Sequence, residues 1–213
     1  MKKVLLVALM GLGAVHLNAT NLTDEQFKWL LADCVKNKVS CQRLIDEGDL
    51  VSLEQCDKKS CNVTGLVYAG AEKYQQAIKY FNKACELSNE LSCNMLAVSY
   101  KTGMGVRQDL SKAFKFYKKA CDLNHASSCY SLGILHYKGQ GTKQNFASAK
   151  RYYEKACNAS NGDACNELGF LYANGQGVQI NNSTAKKYFG RACDLGSQNG
   201  CDNYRILNNQ GVN

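Results

Sequence analysis

The residues of this 213-residue chain best equipped for chemistry are its twelve cysteines and three histidines. A thiol can cross-link, ligate a metal or attack as a nucleophile, and spacing separates these uses. The later cysteines fall into the pairs Cys85/Cys93, Cys121/Cys129, Cys157/Cys165 and Cys193/Cys201, each eight apart, with successive pairs 36 apart. Structural zinc wants closely spaced Cys pairs converging as four ligands. Only Cys56 and Cys61 approach such a spacing. A cysteine nucleophile wants an imidazole base, and beyond the apolar N-terminal segment only His125 and His136 remain. An even cysteine count that groups in pairs favours disulfides and an oxidising compartment. No metal and no cofactor is called for.

A fixed period near 36 is the signature of stacked helix–turn–helix units. Other residues keep the same phase. The motif Ala77, Tyr80, Phe81, Ala84, Cys85 recurs as Ala113, Phe116, Tyr117, Ala120, Cys121, then from Ala149 and again from Ala185. Its residues fall on one face of a helix, here helix B. After the second cysteine of each pair comes Leu96-Ala97 with Tyr100, Leu132-Gly133 with His136, or Leu168-Gly169 with Tyr172, on helix A. Between A and B stand Gly103-Met104-Gly105, Gly139-Gln140-Gly141 and Gly175-Gln176-Gly177, where glycine permits positive φ after a helix end. Asp109, Asn145 and then Asn182-Ser183 are the expected caps of the B helices. With no proline in the chain, nothing interrupts these helices.

These patterns predict an all-α, right-handed α/α solenoid. Its repeats are expected at 61–92, 93–128, 129–164 and 165–200. The first of them is four residues short and lacks the double-glycine turn. Residues 20–60 read as degenerate N-terminal capping repeats, and 201–213 as a C-terminal capping helix whose tail frays from Asn208.

Residues 1–19 read as a secretory signal peptide: Lys2 and Lys3, an apolar run from Val4 to Val15 too short to span a bilayer, and a small residue, Ala19, before the cut. The formal charge of +8 falls to +6 once Lys2 and Lys3 are cut away. The chain is expected outside the cytosol, secreted or periplasmic, without membrane insertion after cleavage. A basic surface there is a solvated face rather than a nucleic-acid site.

The spacing Leu-Gly-x-x-Tyr, then Gly-x-Gly, then Ala with two adjacent aromatics and Ala-Cys resembles the Sel1-like repeat, a relative of the tetratricopeptide repeat. The added Cys-x7-Cys staple resembles the Helicobacter cysteine-rich protein family. The departures are His136 in a tyrosine slot, Thr64 in a leucine slot and the shortened turn after Tyr68. The resemblance implies a secreted or periplasmic, disulfide-stapled binding protein with β-lactam binding and weak hydrolysis; the alternative it implies is a β-lactamase proper. Pairing is expected as Cys34–Cys41, Cys56–Cys61, Cys85–Cys93, Cys121–Cys129, Cys157–Cys165 and Cys193–Cys201. Closing one such loop removes about 2.5 kcal/mol of denatured-state entropy.

The strings of a serine β-lactamase are Ser-x-x-Lys, Ser-x-Asn and Lys-Thr-Gly. All occur, as Ser183 to Lys186, Ser92 to Asn94 and Lys101 to Gly103, but in the wrong order and in different repeats. Lys101-Thr102-Gly103 is the repeat's own turn, and Ser183 reads as a cap. The catalytic residues are therefore not legible.

A partner is expected on the concave face lined by the A helices. Two residues before each leucine slot stand Asn62, Asn94, Tyr130 and Asn166. Two after it stand Leu66, Val98, Ile134 and Phe170. Five after it come Lys101 and Tyr137 among alanines. A primary amide can both donate to and accept from a peptide unit, so this stripe suits an extended peptide or protein segment, or a β-lactam or cell-wall-like small molecule. The rival reading is a solvated helix face with locally capping asparagines. The chain is expected to act as a monomer.

Overall fold

The computed structural model describes residues 52–212, together with Leu5, Leu6, Val15, His16, Cys41, Gln42, Ile45, Asp46 and Leu50. The chain divides into two units, Met1–Arg107 and Gln108–Asn213. In unit 1, α1 is Lys58–Gly70, α2 Tyr74–Glu86 and α3 Glu90–Thr102. In unit 2, α4 is Leu110–Asp122, α5 Ala126–Lys138, α6 Phe146–Asn158, α7 Gly162–Asn174, α8 Asn182–Asp194 and α9 Gln198–Asn209. Each helix packs on its chain neighbours within its unit. Leu5–Leu6 and Val15–His16 form a two-residue antiparallel ladder. The fold is the all-α, disulfide-stapled repeat class of solenoids.

The link from a B helix to the next A helix is short because one residue serves both. Asn89, His125, Asn161 and Ser197 donate their backbone N–H to Ala84, Ala120, Ala156 and Ala192, closing the B helix. Each is also the N-cap of the following A helix. The preceding residue is left-handed every time: Ser88, Asn124, Ser160 and Gly196 have φ of 63°, 67°, 65° and 83°. This is a Schellman ending, although only one of the four is glycine. Across each link a disulfide joins the helices. Cys85–Cys93, Cys121–Cys129, Cys157–Cys165 and Cys193–Cys201 hold Cα atoms 4.4 to 4.8 Å apart, and Cys56–Cys61 5.1 Å. Cys41 is also disulfide-bonded; Cys34 lies outside the described residues.

The A helices end at Gly103, Gly139 and Gly175, all left-handed. The B helices start at Asp109, Asn145 and Asn181, each side chain accepting from a backbone N–H three residues on. The third cap is thus Asn181, not Asn182-Ser183; Asn181 keeps the 36-residue phase, and Ser183 is already inside α8. The C-terminal expectation also changes. α9 runs to Asn209, and Val212 packs against Ala185, Phe189 and Leu207 while its carbonyl accepts from Lys186 Nζ.

The two adjacent aromatics of helix B have different jobs. The first stacks face-on with the aromatic slot of helix A: Tyr80 on Tyr68 at 5.4 Å, Tyr152 on His136 at 5.4 Å, Tyr188 on Tyr172 at 5.6 Å. The second lies on the small residue of helix A. A Cβ at Gly65 would stand 2.6 Å from Phe81, and at Gly133 or Gly169 it would collide with Tyr153 or Phe189. Phe81, Tyr153 and Phe189 are accordingly buried.

Candidate functional site

In unit 1 the stripe is drawn largely into the packing. Asn62 is 6% exposed, and its Oδ1 accepts from Ser92 Oγ at 2.8 Å. This bond ties α1 to α3 and satisfies a buried amide that would otherwise cost a few kcal/mol. Leu66, Asn94 and Val98 are half-buried and Lys101 is exposed; neither Asn94 nor Lys101 is without a partner. Ser92 and Lys101 sit near opposite ends of α3, about 13 Å apart along its axis. Their strings therefore do not converge, and Ser92 Oγ is already engaged.

Unit 2 places its stripe residues differently. Tyr130 on α5 lies against Tyr153 at 5.9 Å. Burial, then the charges of Glu167 and Asp163, push its phenol up to about 12. Ile134 is half-buried. Tyr137 is oriented by Phe146, edge-on at 5.3 Å, and donates to Gln176 Oε1 at 3.2 Å. On α7, Asn166 is 4% exposed, and its Oδ1 accepts from Asn203 Nδ2 at 2.9 Å. Phe170, one turn on, is 38% exposed and rests edge-on against Phe189 at 5.3 Å.

Asn166 and Phe170 border an open cleft of about 270 Å³ between α7 and α9, completed by Glu167, Asn199, Asp202 and Asn203. Burial and the neighbouring Asp163 carboxylate raise the Glu167 carboxyl above its ordinary value, while Lys138 pulls it down. The cleft is therefore lined by amides and carboxylates with one apolar wall. It can exchange hydrogen bonds with a peptide or amide unit and cover an apolar group. Of the four additional lining residues, Asp202 and Asn203 fall in the segment expected only to cap the stack, and Glu167 and Asn199 fall in the last repeat but off the expected stripe. The signal was present: Asp202 is in phase with Asn94, Tyr130 and Asn166. Among the described residues no three His, Cys, Asp or Glu side chains are placed to hold a metal, and no helix is long and apolar enough to cross a membrane.

Three successive segments, 91–125, 126–161 and 162–197, match the Sel1 repeat, and 59–91 matches a tetratricopeptide repeat. No curated protein matches the chain by sequence. Among solved structures, a Sel1 repeat protein from Oxalobacter formigenes is 26% identical, with 80% of this chain and 70% of that one covered at a TM-score of 0.68. The protective antigen c5321 of uropathogenic Escherichia coli, 22% identical over 88% of this chain and 41% of its own, shares the fold at a TM-score of 0.72. Cysteine-rich protein B of Helicobacter pylori is 34% identical, with 62% of this chain and 94% of that one covered at a TM-score of 0.50. With the repeat matched over half its length and the staples in phase with it, the chain belongs to the Sel1 repeat family, alongside the Helicobacter cysteine-rich proteins.

Proposed function

We propose that this is a binding protein of an oxidising compartment, secreted or periplasmic, which takes an extended peptide, or a small ligand with peptide-like amides, on the A-helix face of its repeats. The observation that carries this reading is the α7–α9 cleft, where Phe170 stands exposed beside the amides of Asn166, Asn199 and Asn203. Five described disulfides support the compartment, because such bonds persist where thiols are not kept reduced. The ligand classes stay those of the sequence: a peptide segment of a protein partner, or a β-lactam or cell-wall-like molecule. Tyr130, Ile134 and Tyr137 extend the face along α5, and Leu66, Asn94, Val98 and Lys101 form its counterpart in unit 1, where Asn62 is given over to its bond with Ser92.

The test is binding of a random-sequence peptide array, and of benzylpenicillin by calorimetry, to the parent chain and to Phe170→Ala. Removing an apolar wall that a ligand covers costs about 1.5–3 kcal/mol, so affinity should fall at least tenfold while the helical circular dichroism is unchanged. Equal affinity in the two proteins refutes the cleft. Turnover of nitrocefin that scales with protein and survives repurification would move the reading to a hydrolase.

A further inference from the structure

We propose that the B-helix face of unit 2 docks on a membrane surface bearing anionic phospholipids, independently of the A-helix cleft. Charge is unevenly shared along the chain. From residue 20 to Arg107, eleven basic residues meet eleven acidic ones; from Gln108 onward, thirteen meet seven. The whole excess positive charge of the chain beyond the N-terminal segment belongs to unit 2.

Within unit 2 that charge is sorted by face. The B helices carry cations at two positions that repeat every 36 residues: Lys115, Arg151 and Lys187, and four residues later Lys119, Lys155 and Arg191. Two members of the second row, Lys155 and Arg191, have structural work. Lys155 Nζ donates to Cys121 O at 2.6 Å, and Arg191 donates to Cys157 O at 3.1 Å and Asn158 Oδ1 at 3.0 Å. Each thus reaches the C-terminal carbonyls of the preceding B helix, where a cation is favoured.

The first row has no such work. Lys115, Arg151 and Lys187 stand two residues after the fully buried Ala113, Ala149 and Ala185, about 200° round each helix and so opposite the core. All three are exposed, and none takes part in a described ion pair. Arg151 only lies over the adjoining Tyr152 ring, at 4.9 Å, and donates to its hydroxyl.

The acids that could neutralise this row are mostly committed elsewhere. Asp109 caps α4, Asp122 pairs with Lys118 at 2.7 Å, and Glu154 pairs with Lys150 at 3.2 Å. Asp163 accepts from Ser197, and Glu167 and Asp202 line the cleft. A row of uncompensated cations, one per repeat, complements a diffuse sheet of negative charge. The row carries no large exposed aromatic on which a nucleic-acid base would stack, and the disulfides speak for an envelope rather than a nucleic-acid compartment.

The test is co-sedimentation of the mature chain, residues 20–213, with vesicles of phosphatidylcholine alone or with one third phosphatidylglycerol, at low and physiological salt. Binding is expected only to the anionic vesicles and is expected to weaken with salt. Each cation near such a surface is worth about fivefold, so K115Q/R151Q/K187Q should bind roughly a hundredfold more weakly. The double variant K115Q/K187Q leaves the Arg151–Tyr152 contact intact and should lose about twenty-five-fold, so the question stays decidable if the triple variant folds poorly. Equal binding to both vesicle types, undiminished binding by the double variant, or retention on heparin or an acidic protein without vesicle binding would each overturn the proposal.

Discussion

Removing one staple tests the account of what holds this fold. Cys157 and Cys165 are fully buried, eight residues apart, with Cα atoms at 4.8 Å across the link from α6 to α7. Opening a loop of that size returns about 2.5 kcal/mol of entropy to the denatured chain. For a domain the size of unit 2, that lowers the melting temperature by about 10–20 °C. Unit 2 contains three such staples, at Cys121–Cys129, Cys157–Cys165 and Cys193–Cys201. Reducing all three would remove about 7–8 kcal/mol, comparable with the whole stability of an ordinary domain. The assay is urea unfolding followed by circular dichroism, on the parent chain and on Cys157→Ala/Cys165→Ala. The loop is too short to compact the denatured chain much, so the midpoint should fall while the slope is kept. A midpoint within error of the parent would refute the reasoning. So would a fully reduced chain that still unfolds cooperatively at the parent's midpoint.

Gly169→Ala should destabilise by about 0.5–2 kcal/mol, since overpacking against the buried Phe189 ring outweighs the gain in helix propensity; a melting temperature at or above the parent's contradicts that packing. His136 is held below its ordinary value by burial and by the Arg151 charge, and its buried Nδ1 has no hydrogen-bond partner among the described residues. The unfolded chain therefore binds this proton first, and stability is lost as pH falls through the ordinary histidine range; replacing His136 by Tyr, the residue at Tyr68 and Tyr172, should flatten that part of the stability–pH curve. The Glu167 carboxyl is raised, so ionisation costs the folded state, and Glu167→Gln should be more stable than the parent at neutral pH. The same variant should bring the Tyr130 phenol down from about 12, read by ultraviolet titration, because Glu167 is the largest charge acting on it; an unmoved phenol would separate the two groups.

Much of the architecture was legible because its determinants are local and repeated. A helix face recurs within a few residues, a double-glycine turn lies between two helices, and a cysteine pair closes a link of eight. Each is a short-range rule copied in phase, so one period located the later helices, the staples and two of the three B-helix caps. The family resemblance rested on the same residues. The third cap was missed where three adjacent residues, Asn181, Asn182 and Ser183, could all cap, and only the 36-residue phase selects the first.

The candidate site was legible only in part, because exposure depends on what packs across from a helix. Spacing put Asn62, Asn94 and Asn166 on one stripe, yet Asn62 is buried on Ser92 and Asn166 on Asn203, partners 30 and 37 residues away. Periodicity says which residues share a face; it does not say how closely the neighbouring helix approaches that face. The division of labour between the paired aromatics, the cleft at Phe170 and the split of the cationic rows into ties and free charges were decided by those approaches. The amino-acid sequence determined the repeating unit and its cross-links, since these need only residues near one another in the chain. Which side chains remain free to meet a ligand was decided by tertiary packing, because burial belongs to pairs of helices and not to either alone.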